Sequence, residues 1–79
     1  MISEEKQIIF RVVENYIQTG STDNGQVKVT QLADNKTSCI EHVAGDGRTV
    51  MLDEYRLDGR TVWAGYSSRT GTVYLSRSR

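Results

Sequence analysis

An α+β domain, one N-terminal helix packed on a curved five-stranded antiparallel β-meander, is what this chain of 79 residues predicts. Two observations predict it. Apolar side chains recur at helical spacing only near the start, and beyond them a turn-forming glycine recurs every twelve residues, at Gly47, Gly59 and Gly71. Asp46-Gly47-Arg48-Thr49-Val50 is repeated unchanged as Asp58-Gly59-Arg60-Thr61-Val62, with Thr70-Gly71-Thr72-Val73 as a weaker copy. Asp-Gly favours a type I′ hairpin turn because both residues tolerate positive φ. The short period fits antiparallel hairpins and leaves no room for the crossover of a parallel βαβ unit.

The helix is expected over residues 3–18. Ile9, Val12, Val13, Tyr16 and Ile17 follow the 3,4 spacing, and Ile2, Ile8 and Phe10 widen the stripe to roughly 200° of the surface. That is more than one sheet face covers, so Ile8 and Phe10 are expected to meet a loop or another subunit. Ser3 is the N-cap, Glu4 and Glu5 complement the positive helix end, and Gly20 supplies the left-handed residue after the last turn.

Strands are expected at about 26–32, 37–43, 48–56, 60–67 and 72–77, all within a single domain of residues 1–79. Two-residue turns at 34–35, 46–47, 58–59 and 70–71 pair Val29 with Ile40, His42 with Met51, Met51 with Tyr66, Asp53 with Ala64, Tyr55 with Val62, and Tyr66 with Leu75. Directly opposed residues share a face. The helix side then collects Val27, Val29, Ile40, His42, Met51, Asp53, Tyr55, Val62, Ala64, Tyr66, Val73 and Leu75. The outer side collects Leu32, Cys39, Val43, Val50, Leu52, Glu54, Arg56, Trp63 and Tyr74.

Composition narrows the functional classes. One cysteine rules out an internal disulfide and the thiolate-rich zinc patterns, and a lone histidine lacks metal-ligand spacing, so no cofactor or metal is expected. No apolar run approaches membrane-spanning length, so a cytoplasmic protein is expected. Formal net charge is zero, but residues 1–55 carry nine acids and five bases, whereas residues 56–79 carry five arginines against Asp58. Zero net charge disfavours nucleic-acid binding. The glycines serve turns and not a phosphate-binding loop.

Two constellations remain. His42, Asp53, Tyr55 and Tyr66 on the helix side make a pocket candidate, since a carboxylate beside an imidazole raises its basicity. Cys39 and His42 fall on opposite sides of the sheet, which excludes a Cys–His dyad. On the outer face, Trp63, Tyr74, Leu52 and Val50, ringed by Arg56 and Glu54, form an apolar patch of the kind that marks an interaction surface. The plan of a helix across a curved meander resembles the cystatin-like and nuclear-transport-factor-like architectures, and over Val12 to Gly20 the first helix of the latter; no function is carried over from it. The expected function is a small non-catalytic protein-binding module, an inhibitor or adaptor of a larger complex, with homodimerisation through the outer face or a sheet edge. One alternative is single-stranded nucleic-acid binding with Trp63 and Tyr74 stacking and Arg56, Arg60, Arg69 and Arg77 on the backbone. Another is a ligand pocket or enzyme around His42 and Asp53.

Overall fold

In the computed structural model, which describes residues 3–22, 27–33 and 36–77, the expected helix forms over Glu4–Thr19 (α1). Its caps are those the sequence announces. The Ser3 hydroxyl accepts from the Lys6 amide at 3.2 Å, and Gly20, at φ 74°, donates its N–H to the Tyr16 carbonyl at 2.8 Å. Arg60 also donates to the Ile17 carbonyl at 3.2 Å, satisfying a second acceptor at the helix end.

Among the described residues six strands follow: β1 (Lys28–Gln31), β2 (Ser38–Val43), β3 (Asp46–Met51), β4 (Asp53–Leu57), β5 (Arg60–Ser67) and β6 (Thr72–Arg77). They form a four-stranded sheet in the order β1-β6-β5-β4 and a separate two-stranded hairpin of β2 and β3. The core lies where Ile9, Val12, Val13 and Ile17 of α1 meet Val62, Ala64, Val73 and Leu75 of β5 and β6, with Tyr16, Val29, Tyr55, Leu57 and Tyr66 packed around them. Full burial of each such Val, Ile or Leu contributes about 1.5–3 kcal/mol, so this layer is the main source of stability.

The single antiparallel meander is corrected in three places. First, β1 does not pair with β2; it runs parallel to β6, with Val29 beside Val73. The chain leaving β1 is then held over the far side of β6. Leu32 donates to the Leu75 carbonyl, while the buried Ser76 hydroxyl accepts from the Lys36 amide at 2.9 Å and donates to the Ala33 carbonyl at 3.1 Å. Second, the expected strand 48–56 is broken at Leu52. Its amide donates to the Thr37 carbonyl, extending the hairpin ladder by one pair, while Asp53 already belongs to the main sheet. One length of chain thus serves two sheets.

Third, two registers move. His42 lies opposite Gly47 and not Met51, because the hairpin turns at Ala44 (φ 53°) and Gly45 (φ 85°), two residues earlier than expected. Tyr66 faces Val73 and not Leu75, because residues 68–71 make a four-residue connection closed by the Gly71 amide on the Ser67 carbonyl at 2.8 Å. Only the Asp58–Gly59 hairpin keeps its register, with Asp53 opposite Ala64 and Tyr55 opposite Val62. The turn expected at 34–35 and the start of the first strand at Gln26 lie outside the described residues.

Candidate functional site

The hairpin is folded onto the outer side of the main sheet, and Glu41 fastens it there. Its carboxylate is buried and accepts hydrogen bonds from the Ser67, Tyr74 and Thr70 hydroxyls, the last at 2.9 Å. Arg69 completes the cluster with an ion pair at 3.2 Å and a hydrogen bond to the Glu41 carbonyl at 3.1 Å. The hydroxyl donors, Ser67 foremost, hold the Glu41 carboxyl down at about 2. Burial, followed by the neighbouring Glu41, pushes the Tyr74 phenol up to about 12. The Cys39 thiol is raised for the same two reasons, in the same order. Leu52 is the apolar half of the attachment. Its side chain is buried over Gly65, where an added Cβ would collide with the Met51 carbonyl oxygen and stand 2.8 Å from Leu52 Cδ2.

This seating relocates the residues singled out in the sequence. Of the expected outer patch, Leu52 is buried and Val50, Trp63 and Tyr74 are half-buried, leaving Glu54 and Arg56 exposed. The patch is therefore in large part the protein's own interior. Conversely Ile40 and Met51, expected in the core, are 65% and 66% exposed on the free face of the hairpin. The pocket constellation is dispersed. His42 is an exposed hairpin residue lying over Gly47, Asp53 is exposed in β4, and only Tyr55 and Tyr66 reach the core layer. No hydrogen bond or ion pair joins His42 to Asp53 among the described residues. The stacking-and-arginine arrangement is divided as well. Arg60 and Arg77 stand on the helix side, opposite in parity to Trp63 and Tyr74, and Arg69 is engaged by Glu41.

A different site emerges between α1 and β4. Lys6, Gln7, Phe10, Arg11 and Tyr55 line a groove of about 460 Å³. Phe10 stays 48% exposed above it, the leftover of a helical stripe broader than the sheet beneath. The Tyr55 hydroxyl is buried with no hydrogen-bond partner among the described residues, and burial, then the nearby Asp53 charge, raises its pKa. Beside the groove, β4 is one of the two edge strands of the main sheet, β1 being the other. Because Leu57 and Arg60 flank the two-residue Asp58–Gly59 turn, they form a hydrogen-bonded pair, and alternation turns the backbone N–H and C=O of Glu54 and Arg56 outward. The Arg56–Glu54 side-chain contact, 3.8 Å and solvent-exposed, does not cover them.

A second cleft, about 430 Å³, lies at the helix C-terminus beside Tyr16, Arg60 and Arg77, where Arg60 already serves the Ile17 carbonyl. Among the described residues no three His, Cys, Asp or Glu side chains gather as metal ligands, and no helix is long and apolar enough to cross a membrane. The α1–β4 groove had one signal in the sequence, the surplus apolar Phe10; that β4 is an edge required the topology. Comparison with known proteins yields no match to a protein family, to a curated protein or to a solved structure.

Proposed function

We propose that this protein is a non-catalytic binding module that captures an extended segment of another protein by adding it as a strand beside β4. The observation that carries the reading is the coincidence of an open sheet edge with an apolar groove on its helix side. Strand addition supplies main-chain hydrogen bonds, and every second side chain of the segment enters the groove under Phe10. Occupying a segment in this way makes the module an adaptor or a steric inhibitor within a larger assembly.

Arg56→Pro tests the mechanism. Proline at an outward-facing edge position removes the N–H that a guest strand needs while leaving the β4–β5 ladder intact. The expected outcome is a folded protein whose capture of partners from native extract is lost, with Phe10→Asp losing them as well. Retention of the same partners by a folded Arg56→Pro protein would contradict strand addition at this edge.

A further inference from the structure

The groove is not neutral in character. Lys6 and Arg11 stand at its margin, both exposed, and neither side chain is engaged in an ion pair or hydrogen bond among the described residues. They are five residues apart on α1, about 7.5 Å along its axis and about 140° around it, so they stand at opposite corners of the groove with Gln7 and Phe10 between them. A strand that enters the groove beside β4 passes between these two long cationic side chains, and its groove-side residues, which recur about every 6.6 Å, meet one or the other. Asp53 lies on the same face of β4, where its charge reaches Tyr55, and Glu14 stands one turn beyond Phe10 and Arg11, but the charged side chains that line the groove itself, Lys6 and Arg11, are both cationic. Beneath it, the unpartnered Tyr55 hydroxyl lacks an acceptor.

We infer that the captured segment is acidic, with an apolar side chain seated between Phe10 and Tyr55 and a carboxylate two positions away drawn to Lys6 and Arg11. This rests on the strand-addition reading and adds the chemistry of the partner. The charge of the groove, and not its apolar floor, then discriminates among extended segments, because β-pairing itself is indifferent to sequence. Like charges brought to the same margin would repel, which excludes basic segments of similar hydrophobicity.

Two capped heptapeptides separate the possibilities: Thr-Glu-Val-Phe-Val-Glu-Thr and the same peptide with lysine at both glutamate positions. Each is titrated into the ¹⁵N-labelled protein at low ionic strength. The acidic peptide is expected to bind at least about tenfold more tightly, with shifts at Lys6, Phe10, Arg11 and Tyr55. The advantage should vanish in about 0.5 M salt, where surface charges are screened, and in a Lys6→Gln/Arg11→Gln variant, whose exposed positions leave the fold untouched. Tyr55→Phe should weaken the acidic peptide by a smaller factor. Equal affinities would overturn the acidic preference and leave strand addition standing. Absence of binding by both peptides up to millimolar concentration would overturn the two together.

Discussion

The same five residues, Asp-Gly-Arg-Thr-Val, occur twice in this chain and fold differently. In the second copy Asp58 (φ 53°) and Gly59 (φ 76°) form the turn, and Val62 enters the core at 3% exposure. In the first copy Asp46 and Gly47 are strand residues, the turn has moved to Ala44–Gly45, and Val50 is only half-buried in the space between hairpin and sheet. The flanking sequence shows why the choice exists. Upstream of Asp46 stands another glycine, Gly45, whereas Tyr55-Arg56-Leu57 offers no rival turn. Left-handed backbone at Ala44 is disfavoured by about 1–2 kcal/mol, so local preference alone would select Asp46–Gly47. What offsets it is distant. The observed register places Glu41 over Ser67, Thr70, Tyr74 and Arg69, and aligns Leu52 with Thr37. Tertiary contact decides between two turns that the local sequence both permits.

The largest way to break this difference is to remove the carboxylate contact. Protonation does so without mutation. The Glu41 carboxyl is lowered in the fold from 4.5 to about 2, so its contribution is complete above about pH 4.5 and is lost as pH falls toward 2. Acid titration followed by NMR should therefore release the hairpin, seen as collapse of the β2 and β3 shifts, before the α1 core melts. Glu41→Leu should remove the acid dependence and loosen the hairpin at pH 7. A hairpin that keeps its shifts below pH 2 would show that it is held without the carboxylate charge, by Leu52 and the hydrogen bond from Arg69 to the Glu41 carbonyl.

Next in size is a matched pair of truncations. Val62→Ala should destabilise by about 2–3 kcal/mol, because it opens a cavity in the helix–sheet layer. Val50→Ala, in the other copy of the same pentapeptide, should lower stability by less than about 1 kcal/mol, since its site is half-exposed. Chemical denaturation reads both; equal losses would mean that the hairpin interior is as tightly packed as the core.

The glycines give the smallest and most local contrast. Gly59→Ala forces an L side chain into positive φ and should lower stability by about 1–2 kcal/mol. An alanine at Gly47 meets the exposed ring of His42 at 3.2 Å and the exposed Ile40 methyl at 3.3 Å, both of which have solvent to yield into, so Gly47→Ala should change stability by less than about 0.5 kcal/mol. Thermal melts compare the two directly.

The legible part of this fold is the part set by local chemistry. The helix, both of its caps, the Asp58–Gly59 turn and the helix-facing residues of β1, β4, β5 and β6 follow from 3.6 and 2.0 periodicities and from turn-residue preferences. Alternation names a face but not a neighbour. Shifting a register by two residues, as between β5 and β6, leaves every side chain on its face, so the pattern is blind to the error. The parallel β1–β6 contact joins segments far apart in sequence and has no local marker. Ile40, His42 and Met51 carry the alternation of core residues and yet face solvent, because their hairpin left the sheet at Leu52. The candidate groove was half legible for the same reason: Phe10 stood out as surplus, while the open edge of β4 depended on which strands came to lie beside it.

Cross-strand Hα–Hα contacts in the β2–β3 hairpin test most directly the claim that distant contacts select the turn. Such contacts are strong only at non-hydrogen-bonded pairs, where facing Cα atoms approach to about 4.5 Å. The Ala44–Gly45 turn predicts them between His42 and Gly47 and between Ile40 and Thr49. Contacts instead between His42 and Met51 and between Ala44 and Thr49 would place the turn at Asp46–Gly47, make the two pentapeptides alike, and contradict the account.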